Sequence, residues 1–77
     1  YVLDSKGGHG EKGSAVQLYS KHGNPNQVWL FDGNAVVGTA GGGRVLDIAG
    51  NKKGTGASLI VWDRHDGANQ RWTVEYV

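Results

Sequence analysis

The chain contains no cysteine, so no disulfide framework supplements its core and no C-x-x-C pair marks a structural zinc. It also lacks any bunching of charge: eight Lys and Arg are scattered among seven Asp and Glu, for a net charge of +1. That balance argues against a nucleic-acid or membrane-surface footprint. No apolar run approaches the ~20 residues of a membrane span, and no stretch carries a sustained 3.6-residue apolar period with caps. The chain opens on Tyr1 rather than methionine, which fits a processed or truncated N-terminus.

Glycine is abundant, with 14 among 77 residues. A chain of that length makes one small domain and buries only about 60% of its unfolded surface. Val, Ile, Leu and Trp interrupt the glycines too often for a disordered segment. Glycine-rich turns between short strands account for the pattern.

Two of the three tryptophans close the same phrase, Asn-Gln-x-Trp, in "GNPNQVW" and "GANQRW". Shifting the sequence by 43 residues superposes them without a gap. Val2-Leu3-Asp4 then falls on Val45-Leu46-Asp47, Gly7 on Gly50, Gly13 on Gly56, Tyr19 on Trp62 and His22 on His65. This is an internal duplication, with repeat one at 1–43 and repeat two at 44–77, and such a period implies a supersecondary unit used repeatedly.

Each unit reads as β. The strand candidates are "YVLDS", "SAVQLYS", "QVWLF" and, after the Asp32-Gly33 turn signal, "NAVVG" in repeat one. In repeat two they are "RVLDIA", "ASLIVWD" and "QRWTVEYV", with no counterpart of "NAVVG". Strand alternation puts Val16 and Leu18 on the core face and Gln17 and Tyr19 on the other. Likewise Leu59 and Val61 face the core, while Ile60 and Trp62 point away. Two aromatic side chains on the outer face require an explanation other than packing.

The repeated x-V-L-D, outward aromatic and N-Q-x-W resemble the ricin B-type lectins and the related QxW carbohydrate-binding modules, which are β-trefoils of three repeats. The resemblance covers the whole chain and implies an all-β, β-trefoil-type fold with about two of the three repeats present. It also implies roles. Asp4 and Asp47 accept adjacent sugar hydroxyls, Tyr19 and Trp62 stack on the sugar ring, and His22, His65, Asn26 and Asn69 contact the sugar. Gln27 and Gln70 steady the Asp, Gln17 assists the ligand where repeat two has Ile60, and Trp29 and Trp72 belong to the core. Galactose or a galactose-containing glycan is the implied ligand, a xylan-like polysaccharide the next, and an extracellular or secreted location goes with them.

The chemistry suits a sugar independently of the family. A carboxylate accepts two hydroxyls, an amide donates and accepts, and an aromatic face covers the C–H patch of a pyranose. Asp4 to Tyr19 and Asp47 to Trp62 are both 15 residues apart, so each repeat can form one hollow. Such open single sites bind at around the millimolar scale, and several engaged together bind usefully. A complete trefoil needs roughly 125 to 130 residues at this period. A chain with fewer repeats is expected to form a homo-oligomer or to meet a missing third repeat, because strand faces and edges are otherwise exposed.

Competing readings are weaker. Gly8-x-Gly10-x-x-Gly13 matches a dinucleotide fingerprint but leads into a strand rather than a helix. His9, His22 and His65 lack metal-ligand spacing, so no metal or cofactor is expected. Repeat symmetry puts Asp4 and Asp47 in separate hollows, beyond the ~5–10 Å that paired-carboxylate glycoside hydrolysis needs, so an enzyme is not expected. Asp4 and Asp47 have a structural alternative as caps of the following turns. The rival functions are a trefoil module that binds protein and a polysaccharide-targeting module of a larger enzyme.

Overall fold

A computed structural model describes residues 1–76 of the chain. Short aliphatic runs bounded by glycine form six strands: β1 Val2–Ser5, β2 Val16–Tyr19, β3 Trp29–Asp32, β4 Ala35–Gly38, β5 Val45–Ile48 and β6 Leu59–Trp62. No α-helix occurs among the described residues. Three single 3₁₀ turns, Pro25–Gln27, Ala49–Asn51 and Ala68–Gln70, complete the elements. The chain is all-β, as its periodicity predicts.

The strands form two antiparallel sheets, a β1–β2 hairpin and a four-stranded β3-β4-β5-β6 sheet. Asp4 pairs with Gln17, and Asp47 pairs with Ile60, so equivalent positions of the two repeats occupy equivalent rungs. The repeat boundary is crossed by the pairing of β4 with β5, at Val37 and Val45. A second seam joins the repeats on the far side of β6. There Gly13 N–H donates to the Val61 carbonyl (2.8 Å), Val61 N–H donates to the Ser14 carbonyl (3.0 Å), and Ala15 bridges Ile60.

The apolar centre is small: Ala35, Val36, Val45, Leu46 and Val61. As many polar residues are buried, namely Asp4, Ser5, Asn26, Asp47 and Gln70. Burying an aliphatic side chain yields about 1.5–3 kcal/mol, whereas a buried polar group left unpaired costs a comparable amount. In a core this size the hydrogen bonds of the buried polar set therefore matter as much as its apolar contacts.

Three expectations about packing are corrected. Residues 71–76 of "QRWTVEYV" form no strand, and Val77 lies outside the described residues. In repeat one, β3 is held by its hairpin partner β4. The equivalent segment of repeat two has no such partner among the described residues, and instead Trp72 N–H donates to the Asn34 carbonyl at the β3–β4 turn (2.7 Å). Leu18, expected on the core face with Val16, is 70% exposed because no layer covers that side of the hairpin. Trp29 and Trp72 are half-buried rather than fully enclosed. They meet across an open apolar basin with Leu3, Phe31, Val36 and Leu46.

Two glycine loops cross where a side chain has no room. Gly41 has φ +78°, and a Cβ there would land on the Gly10 carbonyl, whereas Gly42 has φ +83° with open space around it. Left-handed backbone costs about 1–2 kcal/mol for an alanine. Gly42→Ala is therefore expected to lose about that much stability, and Gly41→Ala to lose at least ~2 kcal/mol more from the clash. Urea midpoints of the two variants check the difference, and equal midpoints would show that the loops do not touch.

Candidate functional site

The Asn-Gln-x-Trp phrase is a clip that grips the first strand of its own repeat. In repeat one, Asn26 Nδ2 donates to the Ser5 carbonyl (3.2 Å), Gln27 Nε2 to the Asp4 carboxylate (2.8 Å) and Trp29 Nε1 to the Leu3 carbonyl (3.1 Å). Repeat two repeats the set: Asn69 to Ile48 (3.2 Å), Gln70 to Asp47 (2.8 Å) and Trp72 to Leu46 (3.1 Å). Three residues of the phrase thus engage three consecutive residues of the strand. The 3₁₀ turns Pro25–Gln27 and Ala68–Gln70 bring the Asn and Gln to bear. Proline at the first position of the first turn suits its fixed φ.

Each glutamine uses its full hydrogen-bonding capacity. Gln27 Oε1 accepts from the His22 and Gly23 amides (2.7 and 3.0 Å), and Gln70 Oε1 accepts from His65 and Asp66 (2.8 and 3.2 Å). Their Nε2 groups also donate to the Ser20 and Asp63 carbonyls, both at 2.9 Å. Gln27 and Gln70 therefore stand behind the carboxylates as supports and line neither hollow.

Asp4 and Asp47 are each only 3% exposed. Charged groups at that depth need partners, yet no local backbone amide caps either carboxylate among the described residues. The turn-capping alternative finds no donor. Asp4 accepts from Gln27 and, at its other oxygen, from Gln17 Nε2 (3.2 Å). Among the described residues Asp47 accepts from Gln70 alone, since Ile60 replaces Gln17. A carboxylate has about four lone-pair sites, and the unused ones face a hollow.

The two hollows are separate. One, of about 330 Å³, is lined by Asp4, Gln17, Tyr19, His22, Asn24 and Asn26 with Gly7 and Gly8. The other, of about 550 Å³, is lined by Asp47, Gly50, Asn51, Ile60, Trp62, His65 and Asn69. Tyr19 and Trp62 remain open to solvent at 51% and 37% exposure. Sequence reasoning omitted the loop residues Gly8, Asn24 and Asn51. The repeat period held a signal for two of them: Gly8 falls on Asn51, and both adopt positive φ, +83° and +52°.

The histidines are oriented by backbone. His22 Nδ1 accepts the Asn24 amide (3.1 Å) and His65 Nδ1 accepts the Gly67 amide (2.9 Å). In the neutral ring this leaves the proton on Nε2, which points toward the carboxylate at 3.6 Å in one hollow and 4.0 Å in the other. Those gaps exceed a hydrogen bond. A hydroxyl entering from the hollow could bridge them, accepting from the imidazole and donating to the carboxylate.

A family model described as a ricin-type beta-trefoil lectin domain matches residues 1–72. Comparison with curated proteins and with solved structures returned no match.

Because Gln70 is 1% exposed, removing it leaves the Asp47 carboxylate and two amides without partners. Gln70→Ala is expected to cost about 3 kcal/mol, and Gln27→Ala less, because water reaches the half-exposed Gln27 site. Thermal or chemical unfolding of the two variants tests the order, and a larger loss for Gln27→Ala would contradict it.

Proposed function

The chain belongs to the ricin-type beta-trefoil lectin family, a carbohydrate-binding family, and from that premise we propose that it binds glycans through two hollows, one per repeat. Its two sheets form part of a β-trefoil. The observation that carries the reading is the double occurrence of one arrangement: a buried carboxylate at the floor of an open hollow, an outward aromatic ring on its wall, and an imidazole N–H aimed at the carboxylate.

In this reading Asp4 and Asp47 accept adjacent hydroxyls of one hexose, and His22 and His65 donate to the hydroxyl nearest the carboxylate. Tyr19 and Trp62 cover the C–H patch of the ring, whose contact is apolar and quadrupolar. Asn26 and Asn69 lie at the rim, Gln17 adds a polar contact in the first hollow only, and Gln27 and Gln70 hold the carboxylates in place. Galactose-type sugars are the first ligands to test and xylo-oligosaccharides the second. The function is binding rather than catalysis, because Asp4 and Asp47 act in different hollows.

Each hollow is shallow, so one hexose is held at about the millimolar scale, and avidity comes from simultaneous engagement of several sites. We further propose that the chain acts as one domain whose open basin is covered by a third repeat, supplied by another copy or elsewhere in the same protein. The support is the exposure of Phe31 beside the half-buried tryptophans and of Leu18, which pairs with the basin residue Leu3. Leaving such a surface in water is costly.

A glycan array with wild type, Asp4→Asn and Asp47→Asn tests the binding reading. Asparagine keeps an acceptor for the glutamine amide but removes the charge, so each change is expected to weaken its hollow about tenfold with the thermal midpoint nearly kept. Full binding by the double variant would refute the assignment. Light scattering tests the assembly, with a mass at least twice that of one chain expected for the isolated 77 residues.

A further inference from the structure

The two hollows differ in what stands beside the aromatic ring. The seam along β6 places Lys12, one residue before Gly13, next to Trp62. Its ammonium lies 4.5 Å from the centre of the Trp62 ring and 3.1 Å from an Asp63 carboxylate oxygen. Lys12 does not line the hollow, although Trp62 does. The cation therefore contacts the ring from outside the set of side chains that lines the hollow. Gly13 also packs near the indole, since a Cβ there would lie 3.7 Å from it.

The segment that carries Lys12 is anchored at its other end. Arg44 Nη1 donates to the Gly10 carbonyl (3.2 Å) and the Gly41 carbonyl (3.0 Å), fixing the crossing of the two glycine loops. Arg44 Nε lies 3.3 Å from the second Asp63 oxygen, so Asp63 sits between two cations. Its hydrogen bond with Lys12, and the charges of Lys12 and Arg44, hold its carboxyl below the usual carboxylate range against a smaller opposing effect of desolvation.

Nothing equivalent supports the first hollow. At the repeat offset of 43, Thr55 falls on Lys12, Asp63 falls on Ser20 and Arg44 falls on Tyr1, so the charged set occurs once. Tyr19 meets the edge of His22 at 6.2 Å between ring centres and is 51% exposed, against 37% for Trp62. The more exposed tyrosine has more side-chain freedom to lose when a sugar stacks on it than an indole held under a cation.

We propose that Lys12 of the first repeat is a positioning residue for the second hollow: it clamps the Trp62 indole as a preformed stacking platform, making the second hollow the tighter of the two. This inference rests on the carbohydrate reading above. The cation also draws π density from the ring, an effect that works against stacking and that the gain in preorganisation outweighs.

The test is an NMR titration of the intact chain with galactose and, separately, with a xylo-oligosaccharide, in wild type, Lys12→Met and Lys12→Arg. The Trp62 indole N–H reports the second hollow and the Asn24 amide reports the first, so both are read in one sample. Lys12→Met keeps the apolar stem and is expected to raise Kd about fivefold in the second hollow while leaving the first unchanged, and Lys12→Arg restores the wild-type value. The ring-current shift of the Lys12 ε-methylene, lost in Trp62→Ala, checks the contact without any sugar. Unchanged or tighter binding by Lys12→Met at the second hollow overturns the proposal while the carbohydrate reading stands. If wild type binds neither sugar while the ring-current shift is present, the carbohydrate reading of these sugars fails, and the positioning role falls with it.

Discussion

The amide-to-carboxylate hydrogen bond, Gln27 to Asp4 and Gln70 to Asp47, is the constraint on which the rest of the molecule depends. It spans 23 residues and joins the first strand of a repeat to the turn that follows its second. Without it the carboxylate would be a buried charge lacking its shortest partner, and the loop from Ser20 to Gly23 would lose the acceptor for its amides. The bond is thus both a folding contact and the support of the hollow. Fold and site share it, so losing the bond would disturb both.

That sharing explains why the Asn-Gln-x-Trp phrase occurs twice. The Asn and Trp fix strand carbonyls on either side of the Asp, so the register of the acidic residue is held by three bonds. Moving the strand by one residue would turn the carboxylate to the opposite face. The aromatic on the neighbouring strand, two rungs from the Gln17 or Ile60 position, then faces the same hollow as the acid by strand alternation. A sugar-sized arrangement follows from pairing geometry plus one clip.

Much of this was legible in the sequence, and the omissions share a cause. Period-2 alternation shows which residues share a face, so the grouping of Gln17 with Tyr19 and of Ile60 with Trp62 could be read directly. It does not show what lies against that face. Leu18, Trp29 and Trp72 were therefore expected inside, yet they border an uncovered side. The same limit applies to residues 71–76, whose alternation suits a strand but whose ladder needs a neighbour. Lys12 had no local signal, because its contact with Trp62 spans 50 positions and depends on a seam between repeats. Asn51 was legible in principle, by the period, but a glycine-rich loop gives no face to assign.

The alternation that hides the basin from sequence also separates it from the hollows. Leu3 and Leu46 line the basin, while Asp4 and Asp47, the next residues along the same strands, floor the hollows. Successive side chains leave a strand on opposite faces, so a partner seated on the basin would approach from the side opposite the hollows. Covering the basin would also enclose Trp29 and Trp72, whose indole N–H groups already hold the Leu3 and Leu46 carbonyls. Stiffening those rings stiffens the strand residue beside each acid. On the proposed reading, assembly and glycan binding would be coupled through two pairs of adjacent residues, the apolar side chain of each pair facing the partner and the acidic one the sugar.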